Sequence, residues 1–215
     1  MYIPSHFEEP DLGTLHALMQ SHPLGAWVTT TDEGLLVNHI PFLLDRSRGA
    51  FGTLCGHVAR ANPVWSAFSR QTESVVIFQG PQGYITPSWY PSKQAHGKVV
   101  PTWNYAVVHA HGMPRVIDDA AWLHAHVTAA TDRHEATHRS TWKVSDAPAD
   151  YIDGMLKAIV GIEIPVARLF GKWKTSQNRP HADQLGVIAG LTERGDTGSQ
   201  AMAAMVDRHT ADGDA

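Results

Sequence analysis

ITPSWYPSKQAHGKVVPTWNY, residues 85–105, sets two tryptophans, two tyrosines, three prolines, two lysines and a histidine in one span. Its apolar residues follow neither a helical nor a strand period, so no regular core element is predicted there. Aromatic area outside a regular element needs a tertiary surface to cover or a flat ligand to hold. Thr86, Ser88, Lys98 and Thr102 carry hydrogen-bond donors, and Trp89, Tyr90 and Trp103 offer flat faces for stacking on a planar ring. Lys93 and Lys98 would neutralise an anionic group. The bland alternative has Trp89, Trp103 and Tyr105 covering the end of a barrel, with the lysines in water. The residues alone leave both readings open.

Outward from this span the periods become regular. Upstream, AWVTTT and LLVNHIPFLL are β-rich runs separated by Asp32-Glu33-Gly34, a hairpin signal. AFGTLCGHV reads as a strand after the turn Asp45–Gly49, and Asn62 to Phe68 as a short helix with Pro63 in its first turn. SVVIFQG is an apolar strand, Pro81-Gln82-Gly83 a turn, and YIT the start of another strand. Asp11 caps a helix running to about Gln20. Downstream, YAVVHAHGMPRVI predicts one strand, AAWLHAHVTAAT a helix opened by Asp118 or Asp119, and Asp150 to Lys157 a second helix. GIEIPVARLFGKWK returns to strand character.

Closely spaced strands first, helices late and one late strand make an α+β chain. A small barrel or a curled sheet is the most economical way to hide the strand edges. Residues 1–191 are expected to form that domain with its late helical segment. Residues 192–215, rich in Gly, Ala, Asp and Thr, are expected to be a poorly structured or weakly helical tail.

The formal net charge of −4 gives no broadly basic surface for nucleic acid. The single Cys55 rules out an internal disulfide and fits a reducing cytoplasm. The opening MYIPSHFEEPDL lacks the apolar stretch of a signal peptide, and no apolar run is long enough for a membrane span.

GHVARANPVW, Gly56 to Trp65, sits where a strand gives way to a helix that Asn62 can cap. Free backbone N–H groups at such a corner suit a phosphate, and His57 and Arg60 add donors. A plain helix cap with solvated charges explains the same residues. HEATH, His134 to His138, is a literal H-E-x-x-H that would hold zinc with Glu135 activating water. Thr131 and Asp132 read as helix-starting residues, which puts His134 in a first turn. The neighbours Asp132, Arg133, Arg139 and Ser140 are polar nearly all round, so no metal site is assigned. His109 and His111 alternate along a strand and share a face, whereas His124 and His126 diverge on a helix. GKWKTSQNRP, Gly171 to Pro180, places three cations with amides and hydroxyls after the last strand, where water is their simplest partner. No nucleophile elbow, dinucleotide fingerprint or P-loop occurs.

MYIPSHF, GHVARANPVW, YITPSWYPSKQAHGKVVPTWNYAVVHAHG and KTSQNR, taken together and in this order, resemble the motifs of the PaiB-type family of FMN-binding negative transcriptional regulators. The resemblance runs from Met1 to about Leu191. It implies a split β-barrel of the flavin-binding kind, a cytoplasmic homodimer, and FMN lying between subunits. By that resemblance the phosphate lies near His57, Arg60 and Asn62, and His39 lies near the ring. The span from Thr86 to Trp103, with Ser88, Trp89, Lys98 and Thr102, flanks the isoalloxazine, and Lys174 and Gln177 of KTSQNR complete the cofactor set. DNA binding is implied by the family although no helix-turn-helix is recognisable here. A flavin-dependent reductase or oxidase acting on a small molecule is the alternative; a zinc hydrolase built on His134, Glu135 and His138 and a haem-handling split barrel stand further off.

Overall fold

Asp11 does open the first helix: its carboxylate accepts the Thr14 backbone N–H at 2.7 Å, and α1 runs Leu12–Ser21. The computed structural model describes residues 1–139 and 141–212; Ser140 in the HEATH neighbourhood and the last three residues of the tail lie outside the described residues. The remaining elements are β1 Glu8–Glu9, β2 Leu24–Thr31, β3 Gly34–Pro41, β4 Leu43–Asp45, β5 Thr53–Ala59, α2 Val64–Ala67, β6 Ser74–Ile85, α3 Pro91–His96, β7 Thr102–Gly112, β8 Arg115–Ile117, α4 Ala120–Glu135, α5 Ala149–Lys157, β9 Ile159–Lys174, α6 His181–Arg194 and α7 Thr197–Asp212. The strands hydrogen-bond in the order β3-β2-β6-β7-β9-β5-β4, with β1 and β8 both pairing β9 off that path. The β2–β3, β2–β6, β4–β5, β5–β9, β8–β9 and β1–β9 ladders are antiparallel, so the chain is α+β with an antiparallel sheet.

Two compact units divide the chain. The first takes Met1–Leu18, Gln79–Val108 and the residues from Phe170 on; the second takes Met19–Phe78 and His109–Leu169.

In the first unit the core is Leu15, Leu18, Ile85, Tyr90, Trp173, Val187, Leu191, Met202 and Val206, all buried. Pro81-Gln82-Gly83 is not a turn here, because β6 continues through it to Ile85. The glycine nearby serves close packing instead: a Cβ on Gly80 would lie 2.8 Å from Leu18 Cδ1 and 3.4 Å from the Ala106 carbonyl oxygen. The tail takes the helical of its two expected forms. α6 ends at Gly195 in the left-handed region (φ 73°), Asp196 accepts the Ser199 N–H at 2.9 Å, and α7 follows with Met202, Met205 and Val206 buried. Small residues in the tail had masked an apolar face spaced three and four apart.

In the second unit Trp27, Phe42, Leu54, Val64, Phe68, Phe78, Leu123, Val160, Ile162 and Ile164 are buried, with Trp27 edge-on to Phe68 and Phe42 edge-on to Phe78. The β2–β3 hairpin turns at Asp32-Glu33, with Gly34 at φ 116° and Thr31 pairing Gly34. YAVVHAHGMPRVI is interrupted: β7 stops at Gly112, Pro114 supplies no N–H, and β8 resumes at Arg115. Asp119 caps α4 by accepting the Trp122 N–H at 2.7 Å, and the helix then runs unbroken to Glu135. Asp132 therefore starts nothing, and His134 lies in the last turn rather than the first. His138 lies beyond the helix end, where its N–H meets the Glu135 carbonyl at 2.8 Å, so the i, i+4 geometry that HEATH needs is absent.

Candidate functional site

The second unit carries a cavity of about 360 Å³ between β3 and the β5–α2 corner. Asn38, His39, Ile40 and Pro41 supply one side, and His57, Val58, Ala59, Asn62 and Ile159 the other. Three of the residues singled out in the sequence, His39, His57 and Asn62, thus meet at one cavity. The corner forms as its sequence dictates: Pro63 cannot donate, and Asn62 Oδ1 accepts the Val64 N–H at 3.0 Å. Asn62 Nδ2 then donates to Asn38 Oδ1 at 2.8 Å.

His57 leans on a second histidine. Its Nδ1 lies 3.1 Å from His126 Nε2, and His126 in turn stacks on Trp122 with centroids 5.0 Å apart and planes 13° apart. Burial lowers the pKa of His57 and takes that of His126 to about 4, so both rings are neutral near pH 7. Trp122 Nε1–H donates at 3.1 Å to Glu163, a buried carboxylate that also accepts two bonds from Arg48. The Arg48 bonds, outweighing desolvation, hold the Glu163 carboxyl below the usual carboxylate range. Burial pushes the Cys55 thiol beside it up to about 11, which leaves Cys55 unreactive.

Arg60, expected as an anion donor, is engaged by its own chain. Its Nη atoms bind both carboxylate oxygens of Asp118 at 2.6 and 3.1 Å, its Nε donates to the Lys157 carbonyl at 2.8 Å, and Nη2 also reaches the Ile159 carbonyl. Four bonds to its own chain make it a clamp between the end of β5 and the start of β9.

On the open side of the hairpin, cross-strand pairs Thr30–Leu35, Val28–Val37, Ala26–His39 and Leu24–Pro41 share one face. Leu35 is 77% exposed, Leu24 61% and Val37 51%. His39 belongs both to this apolar face and to the cavity wall.

The other expected residues lie in the first unit. Thr86 caps a 3-10 turn, Pro87–Trp89, by accepting the Ser88 N–H. The Trp89 indole lies on α6: a Cβ at Gly190 would come within 2.3 Å of its ring, and one at Gly186 within 1.9 Å of its carbonyl oxygen. That ring face is committed to packing. Trp103 is half exposed, donates to Gln82 Oε1 at 3.1 Å and tilts toward Tyr84. Ser88 and Lys98 are exposed. Lys174 Nζ donates to the Thr102 hydroxyl, and its pKa is lowered by desolvation and then by Lys172 and Arg179. Gln177 is structural, accepting the Thr175 N–H at 2.7 Å and donating to the Trp173 carbonyl at 2.6 Å. Water surrounds only part of KTSQNR: Asn178 is exposed, whereas Thr175 and Ser176 are buried, Ser176 sits at φ 68°, and buried Asn104 donates to its hydroxyl at 2.9 Å.

Asn38 and Trp122 escaped the sequence reading, and neither His126 nor Glu163 was connected with this corner. The signals were present: Leu123 and His126 are one helical step apart on a single face, and Glu163 is a lone acid between Ile162 and Ile164. Among the described residues no group of three or more His, Cys, Asp or Glu is disposed to hold a metal ion, and His109 and His111 stand as a tilted pair.

The sequence profile described as a putative FMN-binding domain matches residues 1–168. The chain belongs to that family. FMN is accordingly the cofactor that this membership assigns, and the PaiB-type resemblance stands with it. Among relatives of this FMN-binding chain, an uncharacterized protein of Emericella nidulans is 34% identical over 96% of each chain. The protease synthase and sporulation protein PAI 2 of Bacillus subtilis is 30% identical, with 96% of this chain and 97% of that protein covered. Among solved structures, the flavocytochrome Anf3 from Azotobacter vinelandii superposes with a TM-score of 0.57 at 13% identity, over 80% of this chain and 72% of that one, a likeness of fold. No helix among the described residues is long and apolar enough to cross a membrane.

Proposed function

We propose that this protein is a homodimeric split-barrel flavoprotein that holds FMN in the cavity of its second unit and acts as a negative transcriptional regulator of the PaiB type. One observation carries the reading: His39 stands both in the wall of the 360 Å³ cavity and in an exposed apolar sheet face. A second copy covering Leu24, Leu35 and Val37 would close the cavity's rim and remove that apolar area from water. The residues fit the group. Asn38 Nδ2 is buried without a partner and His57 offers a neutral ring, so acceptor oxygens of a flavin have donors to meet. Bound FMN would supply a planar ring able to take up and release electrons. His39, His57 and Asn62 would hold it, while Arg60 keeps the corner in shape.

The relative named for protease synthesis and sporulation supports a regulatory role. A net charge of −4 means that any DNA contact would come from a local patch of the assembled dimer or through a partner.

The decisive experiment is an FMN titration read by thermal unfolding, alongside the absorbance spectrum of the purified protein. A ligand at a hundredfold excess over its Kd stabilises by about 2.7 kcal/mol, so a clear rise in Tm is expected. An unmoved Tm at saturating FMN defeats the cofactor assignment. Light scattering of wild type and Leu35→Lys tests the assembly: a dimer converted to monomer is expected, and a monomeric wild type rejects it. Anaerobic NAD(P)H that bleaches the flavin would favour the oxidoreductase reading over the regulatory one. A gel shift at low salt asks separately whether DNA is bound directly.

A further inference from the structure

Two chains of hydrogen bonds end at the cavity of the second unit, and the direction of each is fixed by its far end. The first starts at the Val64 backbone N–H, which can only donate. It obliges the Asn62 atom 3.0 Å away to be the carbonyl oxygen, and Asn62 then turns its NH2 toward Asn38 at 2.8 Å. Asn38 must meet that NH2 with its own oxygen. Its Nδ2 is left over, buried and without an acceptor.

The second chain starts behind His57. A single proton bridges His57 Nδ1 and His126 Nε2 across 3.1 Å, and the other nitrogen of His126, Nδ1, is buried with no partner. Were that Nδ1 protonated, a donor would be buried unmet; unprotonated, it leaves only a lone pair unmet, the lighter penalty. The proton therefore sits on His126 Nε2 and is donated to His57 Nδ1. Trp122, stacked on His126 and tethered to Glu163 through its own N–H, holds the ring plane that this bond requires. His57 lines the cavity, and its remaining nitrogen, Nε2, carries its proton. Burial keeps both rings neutral.

We infer that His126 is a positioning residue that locks His57 as an Nε2–H donor, and that together with the Asn38 amide it sets two donors in this cavity wall. Two such donors select the acceptor edge of a ligand, carbonyl or phosphoryl oxygens or an unprotonated ring nitrogen, at this side of the cavity. The inference rests on the reading of this cavity as the ligand site, and it names the edge of FMN that enters.

Long-range proton–nitrogen NMR of the full chain at pH 7, without flavin, reads the tautomers directly. The wild type is expected to show His57 and His126 both protonated at Nε2 and bare at Nδ1. His126→Phe is expected to give His57 a mixture of tautomers and to weaken FMN by about fivefold, the worth of one ordinary hydrogen bond. His126→Gln, which can return an amide N–H to the same reach, is expected to restore most of both. A wild-type His57 protonated at Nδ1, or a His126→Phe protein whose His57 tautomer is unchanged, overturns the inference. If His126→Phe does not fold, the wild-type spectrum alone decides. Nε2–H tautomers in a protein that fails to bind FMN would reject the flavin reading and leave the two donors standing.

Discussion

Around His57 the rings and amides are neutral and joined by directional bonds that leave only Asn38 Nδ2 and His126 Nδ1 over; around Lys174 cations crowd one another. In the second unit GHVARANP is held by directional bonds, from Val64 through Asn62 to Asn38 and from Glu163 through Trp122 to the histidine pair. In the first unit SWYP and KTSQNR are held by shape and by cations on rings. Trp89 fills the notch left by Gly186 and Gly190, Arg179 lies 4.9 Å from the Tyr90 ring centroid, and Lys172 lies 5.5 Å from that of Tyr105. Similar motif density is therefore compatible with two ways of fixing a loop, one specific in hydrogen-bond polarity and the other in volume.

The contrast breaks most visibly if volume is wrong where shape is said to rule. Gly186→Val would drive a side chain into the Trp89 carbonyl, and a loss of about 3 kcal/mol in chemical unfolding is expected. An unchanged midpoint would mean that the α6 contact is loose. Next comes Glu163→Ala, which leaves Trp122 Nε1 without its acceptor and frees Arg48, itself 44% exposed, toward water. About 2 kcal/mol of destabilisation is expected, with weakened Trp122–His126 stacking visible in the His126 chemical shifts.

A pH series sharpens the contrast further. His109 and His126 fall from 6.5 to about 4 through burial. Between those values the unfolded chain binds protons that the folded chain refuses, so stability rises as pH climbs from about 4 and levels off above 6.5. Glu163, whose folded pKa is depressed, acts in the same direction at the acid end. Its contribution is complete above the unfolded carboxylate range and is lost as pH falls through its lowered value. Unfolding midpoints that fall from pH 4 to 7 would contradict the buried neutral rings. The smallest effect is expected from Lys174→Met. Removing a desolvated cation from beside Lys172 and Arg179 should leave Tm within a degree or two or raise it slightly, because the lost Thr102 bond is offset by relief of like charge.

Much of the strand ladder was legible because alternation is a local signal: β2, β3, β5 and β9 fall where their apolar periods put them. Pro81-Gly83 misled because its turn-forming composition lies inside a long strand, beside Gly80, whose missing Cβ serves close packing. The HEATH segment misled for the opposite reason. Asp132 is a good opener on propensity, yet α4 already had a better cap at Asp119 and simply continued. In the candidate site, His57 and Asn62 announced themselves by their corner. Arg60 could not disclose its commitment to Asp118, 58 positions away in sequence. His126 and Asn38 were hidden because their significance lies in which of their nitrogens lacks a partner, a property of three dimensions only.

β9 has one more implication. It pairs with β1 near the start of the chain, with β5 and with β8, and it begins only at Ile159. Until the ribosome has released that strand, Glu8–Glu9 has no complement in the growing polypeptide and Thr53–Ala59 has only the short β4. Closure of these ladders therefore waits on a late strand and on distant partners, a slow step that leaves any product truncated upstream of it with unpaired strand edges.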